Sequence, residues 1–383
     1  MKIAIVCPDG LSVLLFLKGV IRTLKERDGV EVVVVNDDGE YKEEIEALGT
    51  KSIRVEMCRF MSPLKDVIYT AKLYRIFKQE NIDVVINVST KPNIYGTIAA
   101  KLSRSKKILC SVWGRGAAFV DDTSVQQQLL KMSLSALYWV AFKLSDKVWF
   151  TNMNDYEYFR SRHTVSPQKV ILTKNYVNIE EYSPSVLPLE RLEELRTELH
   201  LTDQHQVVVM VGRMIWAKGV REFVEASRLL EEKLPFVKFI LVGPEEDGSA
   251  DAVPVSYLRE HERSNNFQWV GFRNDVKDLY RLADLAVLPS YYREGGFPRA
   301  LTEPMSMGKP IIASDSVDCR SPVEDGKNGY LVPIKNAHAL ASRIEELMLD
   351  EEKRAAFGRY SRSKAKKELD ENVVVPQVIE AFL

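Results

Sequence analysis

Apolar runs rich in Val and Ile alternate with helix-length amphipathic segments along the whole chain of 383 residues. In the first half, the strand-like runs are residues 2–7, 30–36, 52–56, 83–88, 107–112, 147–151 and 170–174. Continuous apolar strands that are separated by helices are typical of parallel sheets buried on both faces. The pattern therefore predicts an α/β protein.

The pattern is interrupted once, by the polar stretch "YSPSVLPLERLEELRTELHLTDQHQ", and then restarts with "VVVMVGRM". A chain of this length is consistent with two domains of roughly 150 residues each. We therefore predict two doubly wound domains, at 1–180 and 205–369, joined by a linker at 181–204. Ligands of such proteins bind at the carboxyl ends of the strands, so the cleft between the domains is the expected site.

Charge and cysteine content narrow the function classes. The formal net charge is −1, so no overall field favours nucleic acid, and a nucleic-acid partner is not expected. The four cysteines lack metal-ligand spacing and are typical of reduced core residues in a cytoplasmic protein; they are Cys7, Cys58, Cys110 and Cys319. The apolar stretch from Leu129 is interrupted by Lys131 and Lys143, which favours a buried helix over a membrane span.

Two cations follow the first strand of the second half, in the segment "VGRMIWAKG". Gly212 permits a tight exit from the strand, and Arg213 and Lys218 flank the step into a helix. Backbone N–H groups and the positive end of a helix attract anions, and Arg and Lys add charge-assisted bonds. The pair indicates a diphosphate site. The alternative interpretation, a solvated Lys and an Arg in a surface ion pair, is equally consistent with this segment.

Two carboxylates flank a turn in "YYREGGFPRALTEPMSMGKP". Glu294 lies in the turn, and Glu303 lies in the helix that begins near Pro298. Carboxylate oxygens accept hydrogen bonds from neighbouring hydroxyls, which suits a sugar or a ribose. The alternative is a capping carboxylate and a glutamate on a helix surface.

These segments, with "CRSPVEDGKNGYLVP" further on, resemble the nucleotide-sugar-binding half of the retaining GT-B glycosyltransferases of family four. The likeness covers nearly the whole chain and is nearest to bacterial transferases that build polyprenyl-diphosphate-linked or surface oligosaccharides from UDP-sugars. It implies a GT-B fold, in which two Rossmann-like domains face a central cleft. It also implies that a last helix, at 370–383, crosses back to the first domain.

The resemblance assigns roles on the donor side. It implies that Arg213 and Lys218 hold the donor diphosphate, that Glu294 accepts from hydroxyls of the transferred sugar, and that Glu303 accepts from the ribose. It implies further contacts from the amides of two turn residues to the distal phosphate, from backbone that borders the base, and from a glycine in the N-terminal turn. These residues are Gly296 and Phe297, Phe272 and Arg273, and Gly10.

The chain departs from the family pattern in several places. Glu294 and Glu303 are nine positions apart, one more than is usual, because "EGGF" has an extra glycine. Trp113 occupies a position where His is frequent, and with Arg115 it is the candidate acceptor-side pair. Pro304 stands where Ala is common, which is expected to remove one helix hydrogen bond.

The implied reaction is a front-face transfer with retention, in which the leaving diphosphate helps to take the acceptor proton and no metal or other cofactor is needed. The acceptor is expected to be lipid-linked or an oligosaccharide. A UDP-sugar epimerase of the same fold, or a sugar-binding protein without transferase activity, remains an alternative. An NAD-dependent oxidoreductase is disfavoured, since the third position of G-x-G-x-x-G in "WGRGAAF" is Phe119.

Basic residues suggest a further partner. Cations on the first predicted helix and around the third could contact anionic lipid, which would place the protein peripherally on the inner face of the cell membrane. An ordinary solvated surface explains them equally well. The residues are Lys18, Arg22 and Lys25, and Arg59, Lys65, Lys72 and Arg75.

Overall fold

The computed structural model describes residues 1–37, 39–58, 61–114, 119, 125–185, 189–246 and 248–383. The chain divides into two compact units, residues 1–174 with 372–383, and residues 175–371. Each unit contains one fully parallel sheet with helical crossovers, which confirms the predicted α/β class with two doubly wound domains. None of the described helices is both long enough and apolar enough to cross a bilayer.

The sheet of the first unit has the order β3-β2-β1-β4-β5-β6-β7. Its strands are β1 (Lys2–Val6), β2 (Glu31–Asn36), β3 (Lys51–Arg54), β4 (Val84–Val88), β5 (Lys107–Val112), β6 (Lys147–Phe150) and β7 (Val170–Leu172). Its helices are α1 (Gly10–Phe16), α2 (Lys18–Lys25), α3 (Lys42–Ala47), α4 (Pro63–Gln79), α5 (Thr97–Ser103), α6 (Val125–Leu144) and α7 (Met153–Ser161).

Strand order decides which face of this sheet each helix covers. From β1 the chain moves outward through β2 to β3, then crosses to β4 and continues in the opposite direction. Because such crossovers are right-handed, the helices after β1 and β2 cover one face and the helices after β3, β4 and β5 cover the other. In agreement, α1 packs against α3, and α5 packs against both α4 and α6. The basic helices α2 and α4 therefore lie on opposite faces.

The second unit has a sheet of order β10-β9-β8-β11-β12-β13. Its strands are β8 (Gln206–Val211), β9 (Val237–Val242), β10 (Phe267–Trp269), β11 (Leu285–Leu288), β12 (Ile311–Ser314) and β13 (Gly329–Val332). Its helices are α8 (Leu189–Glu198), α9 (Val220–Leu230), α10 (Val255–His261), α11 (Val276–Leu282), α12 (Arg299–Ser306), α13 (Ala337–Leu349) and α14 (Glu351–Glu368). The last helix, α15 (Glu371–Phe382), returns the chain to the first unit.

The division between the units differs from the predicted one. The second unit begins at Asn175, because the Val177 N–H donates to the carbonyl of Leu369 and thereby joins this segment to the end of α14. The segment 181–204, predicted as a linker, contains α8. Leu195 and Leu199 are buried in the core of the second unit. The high polarity of this stretch reflects a helix with one buried side rather than a connection between domains.

Candidate active site

The candidate donor residues follow two neighbouring strands of the second sheet. Gly212, Arg213 and Lys218 come after β8, and Glu294 comes after β11. From β8 the chain passes outward to β9 and β10, and it returns to the other side of β8 at β11. The strand order therefore reverses between β8 and β11, and in open α/β sheets ligands bind at such a reversal, beyond the carboxyl ends of the strands.

The two loops after these strands are in close contact. The N–H groups of Tyr291 and Tyr292 both donate to the carbonyl of Ala217, at 2.9 Å. Gly219, at the end of the first loop, has a φ of 83°, and a Cβ atom at this position would lie 2.3 Å from the carbonyl oxygen of Pro289. Only glycine fits this approach without moving backbone.

Lys218 and Glu294 form an ion pair between the two loops. The Lys218 ammonium donates to Glu294 Oε2 at 2.5 Å, and the Ser290 hydroxyl donates to Glu294 Oε1 at 2.6 Å. The side chains of the ion pair are 13% and 6% exposed, respectively. Both carboxylate oxygens of Glu294 are therefore held in a site with little water, where charge-assisted bonds are strong.

Arg213 completes the cationic part of the site. Its guanidinium donates to Glu246 Oε2 at 3.2 Å, and its side chain remains 39% exposed. The ring of Tyr292 lies 5.5 Å from the Arg213 guanidinium and 5.4 Å from the Lys218 ammonium, within the range of cation–π attraction. The structure thus places Arg213 and Lys218 beside one tyrosine, with Glu294 bonded to Lys218.

The Gly-Gly-Phe turn after Glu294 has three consecutive residues with positive φ, namely Gly295 at 76°, Gly296 at 69° and Phe297 at 46°. The Gly295 N–H donates to Asp318 Oδ2 at 3.2 Å. The side-chain amide of Asn175 donates to the carbonyls of Gly296 and Phe297, at 3.0 and 3.3 Å. Left-handed backbone is unfavourable for Phe, so these contacts from both sides hold a conformation that the turn alone would not adopt.

Glu303 lies on α12 and is paired within its own helix. Arg299, four residues earlier, donates from Nε to Glu303 Oε1 at 2.5 Å, and the two side chains are 20% and 8% exposed. Tyr182 and Tyr280 lie nearby, and their pKa values are raised above the ordinary value by burial and then by the Glu303 carboxylate. Glu303 therefore occupies an interior position with a protein cation as its partner.

The two residues predicted to border the base lie after β10. Phe272 is exposed. The Arg273 guanidinium donates to Asp275, at 2.7 and 2.6 Å, and also to Glu198. These hydrogen bonds, with Asp275 the stronger partner, raise the pKa of Arg273. The Arg273 side chain is thus engaged by carboxylates, which leaves the backbone of this loop as the part that could face a base.

The first unit contains one donor-side candidate, Gly10, and the two acceptor-side candidates, Trp113 and Arg115. Gly10 is the first residue of α1, directly after β1, and Asp9 caps this helix by accepting from the Ser12 N–H at 2.7 Å. Trp113 follows β5 and packs edge-on between Phe16 and Trp149, with ring centroids 5.5 and 5.6 Å away. Arg115 lies outside the described residues.

Several residues that shape this site are not among the candidates that the sequence predicts. They are Asn175, Glu246, Ser290, Tyr292, Arg299 and Asp318. Arg299 could have been found, because residues four apart on a helix face each other. The others meet their partners only through the fold. Across the described ranges, no group of three His, Cys, Asp or Glu side chains is placed to hold a metal ion.

Two family models match the chain. One, described as glycosyl transferases group 1, matches residues 192–364, and the other, described as glycosyl transferase 4-like, matches residues 9–152. These matches cover most of the second and the first unit respectively. Each half of the chain therefore matches a glycosyltransferase model.

Curated relatives include an N,N'-diacetylbacillosaminyl-diphospho-undecaprenol alpha-1,3-N-acetylgalactosaminyltransferase of Campylobacter jejuni, 28% identical over 100% of this chain and 98% of that protein. A UDP-Gal:alpha-D-GlcNAc-diphosphoundecaprenol alpha-1,3-galactosyltransferase of Escherichia coli is 27% identical over 75% of this chain and 72% of that one.

Solved structures with the same fold include a glycosyltransferase from Rickettsia africae, with a TM-score of 0.79 and 20% identity over 100% of this chain and 97% of that one. Another is Anabaena Alr3699/HepE in complex with UDP-glucose, with a TM-score of 0.78 and 21% identity over 99% and 98% of the two chains.

Proposed function

Since the chain belongs to the group 1 glycosyltransferases and has the GT-B fold that its sequence predicts, we propose that it transfers sugar from a UDP-sugar with retention of configuration. The sugar is a hexose or an N-acetylhexosamine, and the acceptor is a lipid-diphosphate-linked sugar or a polysaccharide in bacterial glycan biosynthesis. The names of the Campylobacter and Escherichia relatives support this acceptor class, because both act on sugars linked to undecaprenol through diphosphate.

The observation that carries the proposal is the convergence of Arg213, Lys218 and Glu294 at the reversal of strand order. Two cations beside one carboxylate match a nucleotide-sugar, in which a diphosphate is joined to a polyhydroxylated ring. On this proposal, Arg213 and Lys218 donate to the diphosphate and Glu294 accepts from hydroxyls of the sugar. The low exposure of the Lys218 and Glu294 side chains makes their bonds to the donor stronger than they would be in water.

In the proposed transfer, the bond between the anomeric carbon and the distal phosphate oxygen breaks as negative charge grows on the diphosphate. The acceptor hydroxyl oxygen bonds to the same face of the anomeric carbon, and its proton passes to the departing phosphate oxygen. Arg213 and Lys218 stabilise the growing charge. This route needs no nucleophile from the protein and no cofactor besides the donor substrate.

The remaining predicted contacts complete this picture. Glu303 accepts from the ribose hydroxyls, and the amides of Gly296 and Phe297 face the distal phosphate. The backbone around Phe272 and Arg273 borders the base. Gly10 contacts the donor, and Trp113 and Arg115 take part in acceptor binding. A lipid-linked acceptor would also bring the protein to the inner face of the cell membrane as a peripheral protein.

A screen of UDP- and GDP-sugars against lipid-diphosphate-linked sugar acceptors, read by product mass, tests the proposal. We expect one UDP-sugar to add a single hexose or N-acetylhexosamine, and the proton coupling at the new anomeric centre to show retention. An inverted linkage would contradict the front-face route. Release of a free sugar epimer without any acceptor would instead identify an epimerase.

A further inference from the structure

Helix α6 has large apolar side chains on its outer side as well as on its inner side. Leu134, Tyr138 and Phe142 face inward and are buried in the core of the first unit. On the outer side, Leu129 is 59% exposed and Met132 is 69% exposed. A helix that is apolar on both sides is normally covered on both sides, by protein or by lipid.

The exposed apolar surface continues onto the neighbouring helices of the same sheet face. Leu102 on α5 is 61% exposed, and Leu64 and Val67 on α4 are 74% and 66% exposed. Helix α5 packs between α4 and α6, so these side chains lie on three neighbouring helices on one side of the sheet. We call it the α4–α6 face, defined by Leu64, Val67, Leu102, Leu129, Met132 and Trp139.

The exposed charges that the three helices themselves carry are all positive, although Lys72 pairs with Glu56 of the preceding loop at 3.6 Å. Asp66 is the one acidic residue in the sequences of α4, α5 and α6, and it is buried against the ammonium of Lys91. The basic residues of the three helices are Lys65, Lys72, Arg75 and Lys78 on α4, Lys101 on α5, and Lys131 and Lys143 on α6. Apolar side chains surrounded by cations complement an anionic lipid surface, where apolar burial and charge attraction add.

Trp139 and Lys143 form an interfacial pair at one end of α6. Trp139 is 47% exposed, and the Lys143 ammonium lies 4.9 Å from the centre of its ring. An indole ring beside an ammonium is typical of the headgroup level of a bilayer, where the ring is half-immersed and the charge stays hydrated.

We propose that the α4–α6 face rests on an anionic bilayer, with Leu129, Met132 and Trp139 of α6 inserted at the level of the headgroups. The inference rests on the proposed function in that a lipid-linked acceptor supplies the reason for membrane contact. It commits to one side of the first unit. Helix α2, whose cations the sequence equally suggested, lies on the opposite face, and its own Val20, Ile21 and Leu24 are buried.

Flotation of the full chain with vesicles of equimolar phosphatidylglycerol and phosphatidylcholine tests this assignment. We expect Leu129→Gln/Met132→Gln/Trp139→Gln to lower the partition coefficient roughly tenfold or more, because three apolar side chains lose their burial. Leu349→Gln, which changes an exposed leucine of the second unit, should float like the wild type, and Lys18→Glu/Arg22→Glu should have little effect. Unchanged flotation of the triple variant would overturn the proposal.

Tryptophan fluorescence gives a second measurement of membrane contact, and it does not require the triple variant to fold. Vesicles should shield wild-type fluorescence from acrylamide, and the shielding should vanish in Trp139→Phe. If the wild type self-associates without lipid and the triple variant is monomeric, a second copy covers this face and the proposal is wrong.

Activity separates this inference from the proposed function. The triple variant should retain wild-type transfer to a short-chain, water-soluble diphosphate-linked acceptor and lose transfer to the same sugar on vesicles. Vesicle binding through the α4–α6 face without transfer to any lipid-diphosphate acceptor would contradict the proposed function and leave the surface assignment intact. Equal transfer to vesicle-borne acceptor by the wild type and the triple variant would contradict the surface assignment alone.

Discussion

Glu294 and Glu303 are nearly equally buried, yet their ion pairs are built in different ways. The partner of Glu294 is Lys218, which lies 76 residues earlier in the chain and meets the glutamate only where two loops are in contact. The partner of Glu303 is Arg299, one turn earlier on the same helix. The side chains of the two glutamates are 6% and 8% exposed.

The difference indicates what each pair can do. Lys218 and Arg213 both follow β8 at the reversal of strand order. On the proposed function, the Lys218 ammonium would leave Glu294 for a donor phosphate while Glu294 takes a sugar hydroxyl. The Arg299 guanidinium donates to Glu303 of its own helix and to the Tyr182 hydroxyl. The loop pair suits exchange with a substrate, whereas the helix pair suits a fixed position for one carboxylate.

The largest expected effect is on the free energy of unfolding, which should depend strongly on the Arg299–Glu303 pair. Glu303→Ala should destabilise the second unit by about 3 kcal/mol, because it leaves the Arg299 guanidinium buried without its carboxylate. Urea unfolding would measure the change in the free energy of unfolding, and hydrogen exchange of the α12 amides would show where in the unit it arises. The double variant Arg299→Met/Glu303→Ala should recover much of the loss, and a single variant as stable as the wild type would show that the pair contributes nothing.

The next effect concerns the cations. Arg213→Ala and Lys218→Ala should each lower kcat/KM by roughly 30- to 150-fold, the equivalent of about 2 to 3 kcal/mol for a lost charge-assisted bond in the transition state. Calorimetry should show weaker UDP binding in both variants. Lys233→Ala, which removes an exposed lysine of the same unit, is the matched control. Unchanged UDP affinity in both site variants would refute the phosphate assignment.

A smaller effect distinguishes sugar from ribose. Glu303→Gln should raise the donor KM and weaken UDP binding, on the order of tenfold each, because UDP carries the ribose. Glu294→Gln should lower kcat by a similar factor and leave UDP binding nearly unchanged, because UDP lacks the transferred sugar. The reverse pattern in UDP titrations would exchange the two roles.

The smallest effect comes from an ion pair away from the site. The Lys364 ammonium and then the Tyr360 hydroxyl lower the pKa of Glu324 from 4.5 to about 2. Because this carboxyl holds its charge more readily when folded, its contribution to stability is complete above about pH 4.5 and is lost as the pH falls towards 2. Lys364→Met should flatten the acid limb of the stability curve without changing UDP binding, whereas Lys366→Met on the same helix should not. An identical acid limb in both variants would contradict the assignment.

Much of the molecule follows from the sequence. Alternation of β-branched runs with amphipathic segments predicted the α/β class, because the period of apolar residues directly reports whether an element has one or two buried sides. The sequence motifs also identified the candidate donor-binding residues Arg213, Lys218, Glu294 and Glu303. The Arg299–Glu303 pair could have been derived as well, since its spacing of four is a property of the helix alone.

The tertiary structure decided which elements meet. The Lys218–Glu294 pair, the ring of Tyr292 beside both cations and the bond from Gly295 to Asp318 all depend on β8, β11 and β12 being neighbours in the sheet. The placement of α2 and α4 on opposite faces likewise follows from strand order. Apolar periodicity shows that one side of an element is covered, but it does not identify what covers it, since contacts between distant segments depend on the order and direction in which the chain crosses the sheet.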